Sequence, residues 1–176
     1  MPTNTSALFA QNVDPERVKV ERADEVLKDS QGGEINDPTV FVKSAALGSI
    51  TGIELSKLAI SKSQDERVKG LAGRALKDQT AIRTDLAAVA RRKRLDVPTS
   101  LVYEDEQMLN QAADKSGAEF DAWYAQQMIT EAQKAIALFS SASMMKDADL
   151  AAFAKKTLPT FEEHQRLALT LAEAAR

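Results

Sequence analysis

The sequence predicts an all-α protein: an antiparallel bundle of four long helices, with an extra short helix before it. Three observations carry this. Apolar residues recur at helical spacing along four long segments, and no stretch alternates with the two-residue period of a strand. Ala and Leu are used heavily while Gly and Pro are few, at seven and five in 176 residues, so the chain has few places to turn. Two short connections and one long one join the four segments, as an antiparallel bundle requires.

The elements follow in order. Residues 1–12 lack periodicity and read as a loose tail. Asp14-Pro15-Glu16 supplies a cap, a proline and an early acid, the start signal of a short helix that ends at Gly32-Gly33. Residues 1–36 thus form a tail and short helix, and residues 37–176 the bundle. Asn36-Asp37-Pro38 opens the first long helix, which runs to about Ser63 with Phe41, Ala45, Leu47, Thr51, Leu55 and Leu58 on its stripe. Gly48 and Gly52 lie one turn apart on it, a spacing that lets a neighbour pack tightly. The second helix spans about 65–94, with Val68, Leu71, Ala75, Ile82, Leu86 and Val89 inward, and ends in the basic run Arg91-Arg92-Lys93-Arg94. Cations there complement the helix dipole, with binding of a phosphate or an acidic partner as the alternative reading. Pro98-Thr99-Ser100 marks the long connection, which holds a short helix around 104–115. Ser116 and Glu119 have capping-box spacing and start the third long helix, lined by Phe120, Trp123, Tyr124, Met128, Ala135 and Leu138. After a turn near 145–147, the fourth carries Leu150, Phe153, Phe161, Ala168 and Leu171, with Pro159 expected to kink or interrupt it.

Composition then narrows the chemistry. The chain has no Cys and one His, which removes thiolate zinc sites, iron–sulfur clusters, cysteine nucleophiles and any site needing two imidazoles. A net charge of −3 and a pI near 5.3 argue against nucleic acid as a partner. No apolar run has the length of a membrane span. The N-terminus lacks a basic region followed by an apolar core, so no secretory signal is visible and the chain as given reads as cytoplasmic; removal of a signal would make it periplasmic. The sequence points to no particular partner and is compatible with homo-oligomerisation.

Each of the four stripes is interrupted by one polar residue: Glu54, Gln79, Glu131 and His164. Each is flanked three or four positions away by stripe residues, which aims it at the bundle axis. In antiparallel neighbours, residues at one height lie equally far from the connecting turn. The midpoint of Glu131 and His164 falls at 147–148, and that of Glu54 and Gln79 at 66–67, both at or near expected turns. The four are therefore expected to meet in one layer. Two carboxylates, an amide oxygen and an imidazole make a set able to hold one divalent ion, Mn, Fe or Zn before Mg or Ca. Tyr124 and Asp78 are candidates to support it from outside, with Asp78 and Asp121 turned toward the bundle flank. The alternative is a layer without metal, in which His164 is held by carboxylates and Gln79 completes the hydrogen bonds, fixing helix register.

At these residues the chain resembles the bacterial domain of unknown function family 4142, a ferritin-like helical bundle. The resemblance covers about residues 38–176 and rests on FVKSAALGSITGIELSKL, on 68–90, and most specifically on FDAWYAQQMITEAQKAIALF and DADLAAFAKKTLPTFEEHQRLA. It implies a Glu in the first helix and a His in each of the others, forming a metal site. Glu54 and His164 match that pattern, while Gln79 and Glu131 stand where the family has His. The resemblance therefore implies either a site moved toward oxygen-liking ions or a fold kept without its metal. It carries over no reaction.

Three functions remain to be weighed. They are a metal-binding bundle, a non-catalytic interaction or stress-related module with a metal-free layer, and a redox enzyme. The last is disfavoured, because no Glu-x-x-His motif is present: Phe161 stands three before His164.

Overall fold

The structure is a computed structural model that describes residues 35–175. Five helices occupy this stretch: α1 (Pro38–Lys62), α2 (Glu66–Arg92), α3 (Tyr103–Gln111), α4 (Gly117–Ala142) and α5 (Ala148–Ala174). No strand occurs among the described residues. The fold is an all-α helical bundle, as the periodicity predicts. The expected N-terminal helix lies outside the described residues.

Aspartates start three of the four long helices. Asp37, Asp65 and Asp147 each accept a hydrogen bond from a first-turn amide, which satisfies donors the helix cannot. The Arg67 guanidinium holds the Asp65 carboxyl down at about 2. The fourth start departs from expectation. Ser116 is the cap of α4 but makes no side-chain bond, so the Ser116–Glu119 capping box does not close. Gly117 enters the helix at φ +53°, which redirects the first turn, and Glu119 instead pairs with Lys115 at 3.3 Å. Pro159 also behaves differently from expectation, because α5 runs through it without a break. Pro159 and Lys155 both lie on the exposed face, so the Lys155 carbonyl that proline leaves without a donor faces solvent.

The four long helices form a square in which every neighbour is antiparallel. Asp78 meets His164 and Asp85 meets Lys156, so α2 and α5 run oppositely. Phe41 meets Phe139 and Ser63 meets Asp121, so α1 and α4 do too. It follows that α2 and α4 sit on a diagonal and point the same way. The link between them must therefore travel the length of the bundle, about 40 Å at 1.5 Å per residue. It does so beside α1, anchored where Lys62 Nζ donates to the Ala113 carbonyl at 2.8 Å and Thr51 Oγ1 to Asp105 at 2.7 Å.

The interior is two apolar clusters rather than one. The first holds Phe41, Phe139, Phe153 and Phe161 in mutual edge-to-face and tilted contacts, with centroids 4.9–6.3 Å apart. The second centres on Leu55, Leu71, Phe120, Tyr124 and Met128. Each buried aromatic stabilises the fold by about 1.5–3 kcal/mol. Between the clusters, at the mid-height of the bundle, lies a polar layer.

Candidate functional site: the mid-bundle layer

His164 anchors the layer. Its side chain is 1 % exposed, and its Nε2 lies 2.8 Å from Asp78 Oδ2 across the α2–α5 seam. A carboxylate only accepts, so Nε2 carries the hydrogen and donates it. The ring also stands perpendicular to Phe161, with centroids 6.1 Å apart and an interplanar angle of 90°. Asp78 is tied outward in turn. Arg74 Nε lies 3.8 Å from the same Oδ2, and Arg74 Nη1 reaches Glu163 at 3.3 Å. Arg166, and then Arg74, hold the Glu163 carboxyl below its ordinary range. A chain of alternating charge thus leads from the buried imidazole to the surface.

Beside His164 is a small cavity of about 20 Å³ open to water-sized molecules. That is room for a single water. Gln79, Glu131 and His164 line it, together with Gly52, Phe161 and three small or apolar side chains. Three of the four residues predicted to share one layer therefore do. Gln79 is 8 % exposed and its Oε1 has no hydrogen-bond partner among the described residues. Glu131 is 20 % exposed and pairs with Lys134 at 3.2 Å.

Glu54 does not join them. Its carboxylate is 40 % exposed and bonds Lys57 at 2.9 Å on the outer surface. The residue of α1 at this height is Gly52, two positions and about 200° away around the helix. A methyl on Gly52 would sit 2.8 Å from Gln79 Nε2 and 3.0 Å from its carbonyl carbon, so the glycine is what lets the amide lie across α1. Gly48, by contrast, meets nothing within 4 Å, so only one glycine of the pair makes a close approach.

The supporting residues also rearrange. Asp78 lies toward the flank as expected, yet it is the direct partner of His164 rather than a remote support. Asp121 sits at the far end of the bundle, where it accepts from Ser63 Oγ at 2.6 Å. Tyr124 is buried in the second cluster and stacks on Phe120 at 6.4 Å; it does not line the cavity with Glu131. Burial pushes its phenol upward, offset in part by the Ser56 hydroxyl.

These positions do not fit the four-ligand metal centre. Glu54 points away, and His164 Nε2 carries a hydrogen that it donates to Asp78, so the four side chains do not converge as one ligand set. Among the described residues no group of three or more His, Asp or Glu is placed to hold a metal ion.

A second and larger cavity adjoins the first, sharing Gln79, Glu131 and Phe161 with it. It lies in the α1–α4 seam, where Val102 and Asp105 of the long connection cross, and offers about 80 Å³ to water-sized molecules. Nothing in the sequence marks it. Its signals, Ser44, Gly48 and Ser49 on one helix face, carry no hydrophobic weight.

A family model described as "Domain of unknown function (DUF4142)" matches residues 25–171. The chain belongs to that family. Among curated proteins and among solved structures nothing matches. Among the described residues no helix is long and apolar enough to cross a membrane.

Proposed function

We propose that this member of the family is a non-catalytic binding module, a helical bundle whose polar layer is held by its own side chains rather than by a metal. The single observation that carries the reading is the 2.8 Å bond between buried His164 and Asp78. It spends the only imidazole on helix pairing, joining α2 to α5 at mid-height. A buried polar group so paired fixes register without adding chemistry.

The test is thermal melting of the full chain with and without saturating Mn²⁺, Fe²⁺ or Zn²⁺. A ligand that binds the folded state must raise the melting temperature. We expect no shift beyond about 1 °C, the value below which occupancy at this level contributes little. A saturable rise that disappears in His164→Leu and Glu131→Leu would replace this reading with a metal centre at Gln79, Glu131 and His164.

A further inference from the structure

We propose that the cavity in the α1–α4 seam is a binding site for a small neutral molecule bearing a carboxamide-like head on a short apolar stem. This rests on the reading of the domain as a binding module and names the class of molecule bound.

Two residues that line this cavity each carry a buried polar atom without a partner. Ser49 is 2 % exposed and its Oγ has no hydrogen-bond partner among the described residues, and the same holds for Gln79 Oε1. Both residues line the cavity. Leaving such groups unpaired is costly, and native interiors seldom do so. Other hydroxyls of α1 show the contrast. Ser56 Oγ donates to the Gly52 carbonyl at 2.7 Å, and Thr51 Oγ1 is engaged by Asp105 and the Leu47 carbonyl.

The two residues are neighbours across the contact between α1 and α2. Gln79 lies against Gly52, and Ser49 is three residues before Gly52 on the same helix, about 4.5 Å along its axis. Gln79 Oε1 requires a donor, while the Ser49 hydroxyl can give or take a hydrogen. A carboxamide supplies both: its N–H donates to Gln79 and its C=O accepts from Ser49. Rotation of the Gln79 amide by 180° reverses the head group but keeps the match.

The remaining wall is apolar, with Ala45, Leu47, Leu138, Phe139 and Phe161. It would accept a hydrocarbon stem and penalise a charge placed among the rings. At the roughly 10–15 Å³ that one water needs, the 80 Å³ cavity has room for about five to eight waters, or for a molecule of about six heavy atoms. The charged side chains at the site are already engaged, Glu131 and Lys134 by each other and Asp105 by Thr51.

The probe is butyramide, titrated into the full chain by calorimetry, with butyrate as the charged analogue. We expect saturable 1:1 binding with Kd of about millimolar order, as suits a fragment of six heavy atoms. Ser49→Ala should weaken it about tenfold, the loss of one hydrogen bond. Ala135→Leu, which adds bulk at a half-buried wall position, should abolish it while the melting curve stays cooperative. Butyrate should bind at least about tenfold more weakly than butyramide. Absence of butyramide binding to the wild-type chain overturns the site, as does binding that survives both Ser49→Ala and Ala135→Leu. Butyrate binding more tightly than butyramide overturns the neutral head group. These readings are separate from the metal-dependent melting that tests the module itself, so each can fail alone.

Discussion

The two sides of the mid-bundle layer solve the same problem in opposite ways. On the α2–α5 side, polar groups meet each other: His164 donates to Asp78, Asp78 faces Arg74, and Arg74 faces Glu163. On the α1–α4 side, Ser49 and Gln79, each with an unpaired buried oxygen, line a cavity walled by Phe139 and Phe161. The backbones explain part of the contrast. Where α5 brings Phe161 and His164 to the layer, α1 brings Gly48, Ser49 and Gly52, which fill little volume. Long side chains can cross a seam and close it; small ones leave room beside whatever they do not reach. The first arrangement gives stability and the second leaves space for something else to bind.

The largest test of this contrast is Phe139→Ala. Phe139 belongs to the aromatic cluster and also forms the floor of the open side. Its removal should cost about 3–5 kcal/mol by denaturant unfolding, because the cavity is already there and the wall has little to collapse onto. A loss under about 1 kcal/mol would mean that the open side repacks freely and is no defined cavity.

Next comes the end of the closed side. Lys93, just past α2, pairs at 2.8 Å with Asp147, the cap of α5. That Lys93 bond, with the Leu150 amide assisting, holds the Asp147 carboxyl below its ordinary range. A carboxyl lowered in the folded state stabilises fully above its unfolded pKa, and the contribution is lost as pH falls through the folded value. Asp147→Ala should therefore cost about 1 kcal/mol at pH 7. The difference from wild type should shrink only below about pH 4. A gap that closes between pH 5 and 7 would assign the effect to another group.

The two glycines sharpen the comparison within a single helix. Gly48→Ala should stabilise by about 0.5–1 kcal/mol, since the added methyl meets nothing and alanine favours the helix. Gly52→Ala should instead be neutral or cost up to about 1 kcal/mol, because overpacking against Gln79 offsets that gain. Melting temperatures of the two variants moving up together would show that Gln79 is free to leave α1.

The close approach at Gly52 bears on what the sequence could reveal. Helix number, order and bounds were legible to within a few residues because Phe, Leu, Ile and Ala mark the buried faces at helical spacing. So was the height of the layer, because the turn midpoints depend only on counting. Gln79, Glu131 and His164 share a cavity for that reason. Glu54 was misplaced because the true inward line of α1 passes through Ser49, Gly52 and Ser56, residues with no apolar signature. Thr51 and Leu58 suggested a stripe whose centre lies elsewhere. The Asp78–His164 bond was hidden for another reason: a flanking carboxylate reaches inward through its side chain, and stripe periodicity records only where the backbone points. Cavities, finally, are what side chains fail to fill, and no residue type signals that.

The smallest effect is expected at Glu54. Its pair with Lys57 is solvent-exposed on both sides, so Glu54→Gln should change stability by less than about 0.5 kcal/mol. A loss of several times that size would place Glu54 in the layer after all.

The most direct test of the central claim, that the closed side is tied by the protein's own His164–Asp78 pair, is a double-mutant cycle. Asp78→Ala, His164→Leu and the double variant would be unfolded in denaturant under metal-free conditions. The account predicts a coupling of about 1–2 kcal/mol, the range for a hydrogen bond to a charged group with one partner partly exposed. Strictly additive losses, with a coupling below about 0.3 kcal/mol, would contradict it.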